Sequence, residues 1–396
     1  MLVALMLCYL FFYTGRQNFG WVMKSLNEQL SISPAHLGLI SGAMLACYGI
    51  GQAINGNLGD RFGARRMMTL GAVGSFALNW ATSFGHSFWT LLLPWAANGY
   101  FQSLAWAPGS RLLSNWFERA ERGRAFGFYV FAAGSSSVLT FVAAILVLDR
   151  FSWQWVFRLP VILLLCAGIT FFYLARDRPE DLGFEPLSDE ASDEQAMERQ
   201  GVVQRYTHAL KNWRFLVASV SIGFESLARY GLLIWVPYHY LGDDWKGQSG
   251  SVWITLALPL GMAVGALSSG YISDRLFRAN RSRPIALLLL LAAGVTLAMS
   301  LVPREHTLLG LILLFVAGFL VYGPQSAYWA LCPDLLGRQH AGTGVGLMNA
   351  FAYAFAAAGE PLIGLTIQHT ENTASVFGVT ALVCLLAAVC IVPVRR

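Results

Sequence analysis

Apolar runs of about 20 residues recur along this chain, separated by short stretches of charge, glycine and proline. At 1.5 Å of rise per residue, such a run crosses a hydrocarbon core of about 30 Å as a helix. Cutting at the polar punctuation gives six spans in the first half, roughly 1-23, 36-58, 67-84, 87-114, 122-148 and 154-175. Six more follow, roughly 212-240, 249-273, 284-302, 306-332, 341-366 and 374-393. Between the halves lies one long polar segment, 176-211, which holds nine of the 22 acids and reads as a solvated linker. The pattern predicts an all-α membrane protein of twelve transmembrane helices, with six-helix bundles at 1-175 and 212-396.

The two halves repeat each other. Gly56 to Arg61 after span two matches Gly270 to Arg275 after span eight, an offset of 270 − 56 = 214. Arg16 in span one and Arg229 in span seven are 213 apart, and Pro108 in span four and Pro324 in span ten are 216 apart. Three landmarks at nearly constant offset predict two pseudo-symmetric bundles, the plan on which transporters rock around a midplane site.

Composition and charge narrow the class further. Of 396 residues 56% are hydrophobic and only 12% charged, about half the charged fraction of soluble domains. A soluble enzyme and a nucleic-acid-binding domain are excluded, although the formal net charge is +5. The basicity is a loop asymmetry. With both termini and the linker in the cytoplasm, that side collects 20 Lys and Arg against five on the other, with Arg16 and Arg229 set aside as intramembrane.

The six cysteines and seven histidines show neither CxxC spacing nor clustering, so no metal is expected. No cofactor is expected either. The absence of a Gly-rich loop ending in Lys and Ser/Thr argues against ATP-driven transport, and no nucleophile, base and orienter cluster suggests an enzyme. The first apolar stretch lacks a basic start and a small-residue cleavage site, so it does not read as a signal peptide. Because Met1 falls almost inside that stretch, a short cytoplasmic leader is expected ahead of it.

Candidate chemistry centres on Arg16 and Arg229, each near mid-membrane in its own half. An unpaired arginine there costs roughly 2.5 kcal/mol or more, so it should face a wet cavity, an anion or a carboxylate. Glu225, one turn before Arg229 on the same face, offers such a carboxylate, whereas Arg16 has none nearby in sequence. A planar guanidinium suits two-pronged recognition of an oxyanion. Asn18, Tyr48, Trp106, Tyr230, Trp235, Tyr238 and Gln325 offer further lining, though packing or an interfacial belt explains the aromatics equally well. Glu360, before Pro361 in span eleven, either snorkels toward the outer surface or carries a proton.

Gly56-Asn-Leu-Gly-Asp60-Arg61-Phe-Gly63-Ala-Arg65-Arg66 resembles the loop signature of the major facilitator superfamily, with a second copy at Gly270 to Arg275. In that reading Asp60, Arg61, Asp274 and Arg275 form gating charge networks; the plainer reading is a positive-inside loop. Tyr13-Thr-Gly-Arg16-Gln-Asn18-Phe, Arg176-Asp-Arg-Pro179, Arg229-Tyr230-Gly231 and Tyr322-Gly323-Pro324 resemble the organophosphate:phosphate antiporter family over nearly the whole chain. That family includes bacterial glycerol-3-phosphate and hexose-6-phosphate transporters. The resemblance implies the major facilitator fold, phosphate binding by Arg16 and Arg229, and a place for Tyr13 beside the first arginine.

Three departures make the site less cationic than the family pattern. Gln52 stands where these transporters commonly have a lysine, Ala133 where the glycerol-3-phosphate transporter has a histidine, and Glu225 where close relatives are apolar. The expected function is secondary active transport of a small organic anion, a phosphate ester or carboxylate, by alternating access. Its substrate should carry less negative charge than a phosphate dianion. Inorganic phosphate or a proton is the expected coupling ion, and the expected setting is a monomer in the bacterial inner membrane. The alternative is a ligand sensor on the same scaffold, since the family includes a hexose-phosphate receptor.

The loop reading makes a prediction. Asp60→Asn should shift the balance between inward-facing and outward-facing forms, seen as a changed pattern of cysteine labelling from the two sides. Unchanged labelling together with unchanged transport would leave the loop as a topology determinant only.

Overall fold

The computed structural model describes residues 1–117, 119–184, 202–240, 253–276, 281–303, 306–336 and 341–394. It is built of helices in the twelve-span, two-bundle plan. Among the described residues four spans are broken: span one into Leu2–Phe12 and Phe19–Leu30, span four into Phe88–Gln102 and Trp106–Trp116, span six into Gln154–Arg158 and Pro160–Leu174, and span ten into Thr307–Tyr322 and Gln325–Leu336. In span ten the break falls at Gly323 and Pro324, where proline lacks the N–H that the helix would use. Spans two and eleven, Pro34–Phe62 and Ala341–Thr370, run 29 and 30 residues. They outrun the expected 36-58 and 341-366 because the helix continues past the apolar stretch into polar sequence.

Leucines and valines such as Leu290, Leu297, Leu308, Leu362, Leu382 and Val389 stay exposed on outward faces, as a lipid-facing surface requires. Inside, the buried side chains fall into two clusters of unequal reach. One joins Phe19, Trp21, Leu37, Met44 and Tyr48 of the first half to Ile234, Trp235, Tyr353 and Ile363 of the second. The other, from Leu5, Cys8 and Phe12 to Met68, Leu112 and Leu164, belongs to the first half alone. The bundles are therefore fused into one core at the end away from the chain termini, here the far end, and part toward the terminal end.

Glycines make that fusion close. A Cβ on Gly38 of span two would overlap the Glu360 carbonyl and lie 2.8 Å from Pro361 Cα; on Gly42 it would lie 2.5 Å from the Ala357 carbonyl. Gly364 of span eleven packs in the same way on the Pro34 backbone. Small residues at these crossings let two helix backbones touch where lipid supplies no hydrophobic drive to bring them together.

At the terminal end, Gly63 adopts φ +78°, and a Cβ there would run into the Asp177 carboxyl. That carboxyl accepts the Arg65 backbone N–H at 3.0 Å, and Trp116 Nε1 donates to the Arg176 carbonyl at 2.7 Å. Two motifs distant in sequence, the loop after span two and the Arg176 to Pro179 segment, thus grip each other. The side chains of Asp60, Arg61, Asp274 and Arg275 lie outside the described residues, as does 185–201 of the linker.

Gly38→Val should force spans two and eleven apart. Overpacking a tight contact costs about 1–3 kcal/mol, which would shift the population toward the far-end-open form. Faster modification of a cysteine placed at Ala357 is the expected readout, and an unchanged rate would show that the crossing adapts.

Candidate functional site

Arg16 stands at the break in span one. Tyr13–Gly15 form a single 3-10 turn, and Arg16 leaves the helix at φ −125°, ψ −40°. No proline causes this; amide side chains from neighbouring spans compensate it. The Gly15 carbonyl accepts from Asn98 Nδ2 at 2.8 Å and Asn79 Nδ2 at 3.1 Å. Asn98 Oδ1 accepts from Ser75 Oγ at 2.7 Å, and Ser75 Oγ accepts from Gln102 Nε2 at 2.7 Å. Asn18 donates to Asn79 Oδ1 at 3.0 Å and to the Val156 carbonyl at 3.2 Å. Asn18 thus fastens the break.

Turned out of the helix, the Arg16 guanidinium lies between aromatic faces, its Cζ 3.9 Å from the Tyr13 ring centroid and 4.9 Å from that of Tyr48. It is 5% exposed, and its Nε and Nη2 have no hydrogen-bond partner. Arg229 projects from an unbroken helix, Trp213–Tyr240, with Cζ 4.5 Å from the Tyr230 ring and 5.3 Å from that of Tyr322. Its Nε is likewise unpartnered. Among the described residues neither arginine forms an ion pair.

Between the arginines runs a tyrosine bridge that crosses from one bundle to the other. Tyr48 meets Tyr353 at 4.4 Å between centroids, and the Tyr230 hydroxyl donates to that of Tyr353 at 2.9 Å. Cation–π attraction stabilises each guanidinium without neutralising it. Toward the terminal end opens a cavity of about 680 Å³, lined by Tyr9, Tyr13, Tyr48 and Trp106 from the first half and by Arg229, Tyr322, Gln325, Trp329, Asn349 and Tyr353 from the second, among others.

The remaining sequence candidates divide. Tyr13, Tyr48, Trp106, Arg229 and Gln325 line the cavity, and Tyr230 braces Arg229 from beside it. Gln52 does not line it: its amide donates to the Ser103 carbonyl at 3.4 Å, at the break in span four, where Asn55 also donates to Ser103 Oγ at 2.6 Å. Glu225 is fully buried behind Gln325, its Oε2 accepting from Gln325 Nε2 at 2.9 Å and from Ser226 Oγ at 3.2 Å. Trp329 Nε1, which can only donate, meets Gln325 Oε1 at 3.0 Å and so fixes which way that amide points. Trp235 and Tyr238 belong to the far-end seal, donating to Glu360 at 2.8 Å and Asn27 at 3.2 Å.

Tyr9, Trp329, Asn349 and Tyr353 were not among the sequence candidates. A signal existed for each: Tyr9 with Tyr13, Gln325 with Trp329, and Asn349 with Tyr353 are four residues apart, so each pair shares one helix face within an apolar span.

Helices broken around a cavity between two bundles, with Arg229 in its lining and Arg16 behind Tyr13 and Tyr48, follow the plan of a carrier. The chain belongs to the Major Facilitator Superfamily, whose family model matches residues 5–360. It is a multi-pass membrane transporter and not an enzyme. It is 26% identical over 374 residues to a probable hexose phosphate transport protein of Chlamydia pneumoniae, covering 89% of this chain and 82% of the relative. It is also 26% identical over 397 residues to the membrane sensor protein UhpC of Salmonella typhimurium, covering 96% and 88%. In fold it is similar to the crystal structure of a bacterial homolog to the human lysosomal transporter Spinster, inward-facing and unoccupied, with a TM-score of 0.78, 15% identity and 100% and 94% of the two chains covered.

Asn98→Leu removes both a donor to Gly15 and an acceptor from Ser75 while keeping the volume. A buried carbonyl and hydroxyl then lose partners, each costing about 1–3 kcal/mol. A lower thermal-unfolding midpoint in detergent is expected, and an unchanged midpoint would mean that Asn79 alone suffices.

Proposed function

We propose that this protein is a secondary active transporter of a small phosphorylated organic anion, which binds between Arg16 and Arg229 and drives alternating access. The observation that carries the reading is the pair of buried guanidinium groups, one from each bundle, with N–H groups unpartnered beside a shared cavity. An oxyanion supplies both the missing acceptors and the missing charge. The relatives' printed activities, hexose phosphate transport among them, supply the substrate class.

Residues 1-175 rock against 212-396 around this site. The loop charge asymmetry puts the terminal end in the cytoplasm of a bacterium, so the form with its cavity on that side faces inward. Without anion the like charges stay apart across the tyrosine bridge. With anion they are drawn together, which lowers the barrier to closing the cavity. Exchange for inorganic phosphate follows, because the empty carrier reorients slowly. The carrier works as a monomer.

The charge balance sets the form of the anion. Arg229 lines the cavity, Arg16 lies behind Tyr13 and Tyr48, and neither the lysine nor the histidine of the family pattern is present at Gln52 and Ala133. The missing third cation weakens a dianion more than a singly charged ester, since the Coulomb gain scales with ligand charge, and an ionised Glu225 offsets one further unit, so the site suits a singly charged phosphate ester. Glu225, hydrogen-bonded through Oε2 to Gln325 and Ser226, lies one turn from Arg229 and within electrostatic reach of it, so its charge belongs in the balance of the site.

The sensor relative motivates a second reading in which the same site binds ligand without moving it. Uptake of glycerol-3-phosphate by the purified protein in liposomes favours transport; binding without uptake favours the sensor. Arg16→Lys should insert and elute as the wild type does yet bind glycerol-3-phosphate about tenfold more weakly or worse, because the ammonium keeps the charge and loses the fork. Wild-type affinity in that variant refutes the role of Arg16. Matched phosphate and carboxylate ligands, compared by thermal shift between about pH 6 and about pH 8, test the charge form. Binding that strengthens as phosphate becomes doubly charged refutes the singly charged form.

A further inference from the structure

Glu360 is a carboxyl that the anion site does not use. It lies on span eleven seven residues beyond Tyr353, about 10 Å farther toward the far end at 1.5 Å per residue. It is 1% exposed and sits where the bundles are tightest, with Gly38 of span two packed on its own carbonyl. Its Oε2 accepts the Trp235 indole N–H at 2.8 Å, and its carboxyl is hydrogen-bonded to the Ser41 hydroxyl of span two. Trp235 belongs to the same bundle as Glu360, and Ser41 to the opposite one. The contact with Ser41 therefore bridges the two bundles.

Among the described residues no salt bridge to this carboxyl is formed. On span one, Lys24 pairs with Glu28 at 3.2 Å. On span two, His36 is bonded to Ser33 at 2.8 Å. On span seven, Tyr238 donates to Asn27 and His239 bonds Thr373 at 2.8 Å, while Glu225 and Arg229 lie toward the cavity. Span twelve brings Cys384 and Cys390, and span eleven itself brings Tyr353 and His369. A carboxylate at Glu360 would be a dry, uncompensated negative charge, whereas the acid form donates to Ser41 and accepts from Trp235.

We propose that Glu360 is a proton-binding site built into the far-end seal. It holds its proton while Ser41 and Trp235 enclose it, and releases the proton to water when spans two and eleven part. Each opening sheds a proton outside and each closing takes one up. Release and uptake occur on the same side, so the anion cycle becomes pH-dependent without net proton transfer across the membrane, a consequence that rests on the transport reading. The proton site itself does not depend on the identity of the anion.

The test reads the conformation of the ligand-free protein in nanodiscs. Spin labels are attached at Ser33→Cys and Asn372→Cys, with the accessible Cys47, Cys166 and Cys390 changed to serine. Far-end distances are then measured between about pH 5 and about pH 9, a window that spans ordinary and buried carboxyls. In the wild type the open-to-closed ratio should rise with pH by up to about tenfold per unit, the limit for one linked proton. Glu360→Gln should show the closed distance at every pH. Ser41→Ala and Trp235→Phe, which keep the carboxyl and remove one partner, should move the midpoint and keep the slope. A flat wild-type response, a Glu360→Gln response equal to that of the wild type, or unmoved midpoints in both partner variants overturns the proposal. The partner variants decide the matter if Glu360→Gln fails to fold. An anion site that fails to bind phosphate esters alters none of these readouts, so failure of the transport reading remains distinguishable.

Discussion

Two guanidinium groups held in a low-dielectric interior, one from each bundle and neither in a salt bridge among the described residues, impose the constraint on which the rest of this structure depends. Like charges at such a place repel, and burial makes each of them expensive. The protein answers with aromatic faces. Tyr13 and Tyr48 flank Arg16, Tyr230 and Tyr322 flank Arg229, and Tyr353 links the two groups. Quadrupoles stabilise a cation without cancelling its charge, so both groups remain positive.

Presenting Arg16 requires that a helix be broken inside the membrane, and each freed carbonyl must find a donor. The donors are amides: Asn79 and Asn98 at the break in span one, and Gln52 at the break in span four, where Asn55 holds the Ser103 hydroxyl. Polar residues that look like substrate contacts in a list of intramembrane side chains thus divide into two groups. Some face the cavity. Others hold the broken backbone of spans one and four, and Asn18 and Gln52 are of this second kind.

The two ends of the molecule are built on opposite rules. At the far end glycines let backbones touch, and the hydrophobic core runs from bundle to bundle. Toward the terminal end the first bundle keeps a core of its own, and the space between the halves is a cavity lined by aromatic rings. A close seal with few side chains to reorganise suits a contact that must form and break as a unit. Placing one neutralisable carboxyl inside it couples that event to a charge.

Much was legible in the sequence alone. Hydrophobic period and run length determined the twelve spans, constant offsets determined the doubled plan, and the rarity of intramembrane charge singled out Arg16, Arg229, Glu225 and Glu360, because lipid penalises those features wherever they occur. What the partners are could not be read in the same way. Glu225 stands one turn from Arg229, yet its carboxylate bonds to Gln325 a hundred residues away. Glu360, expected either to snorkel toward the outer surface or to carry a proton, is buried between spans two and seven. Local spacing fixes which residues share a helix face. Which helix that face meets, and whether a gap or a glycine lies across from it, is decided only when distant spans pack.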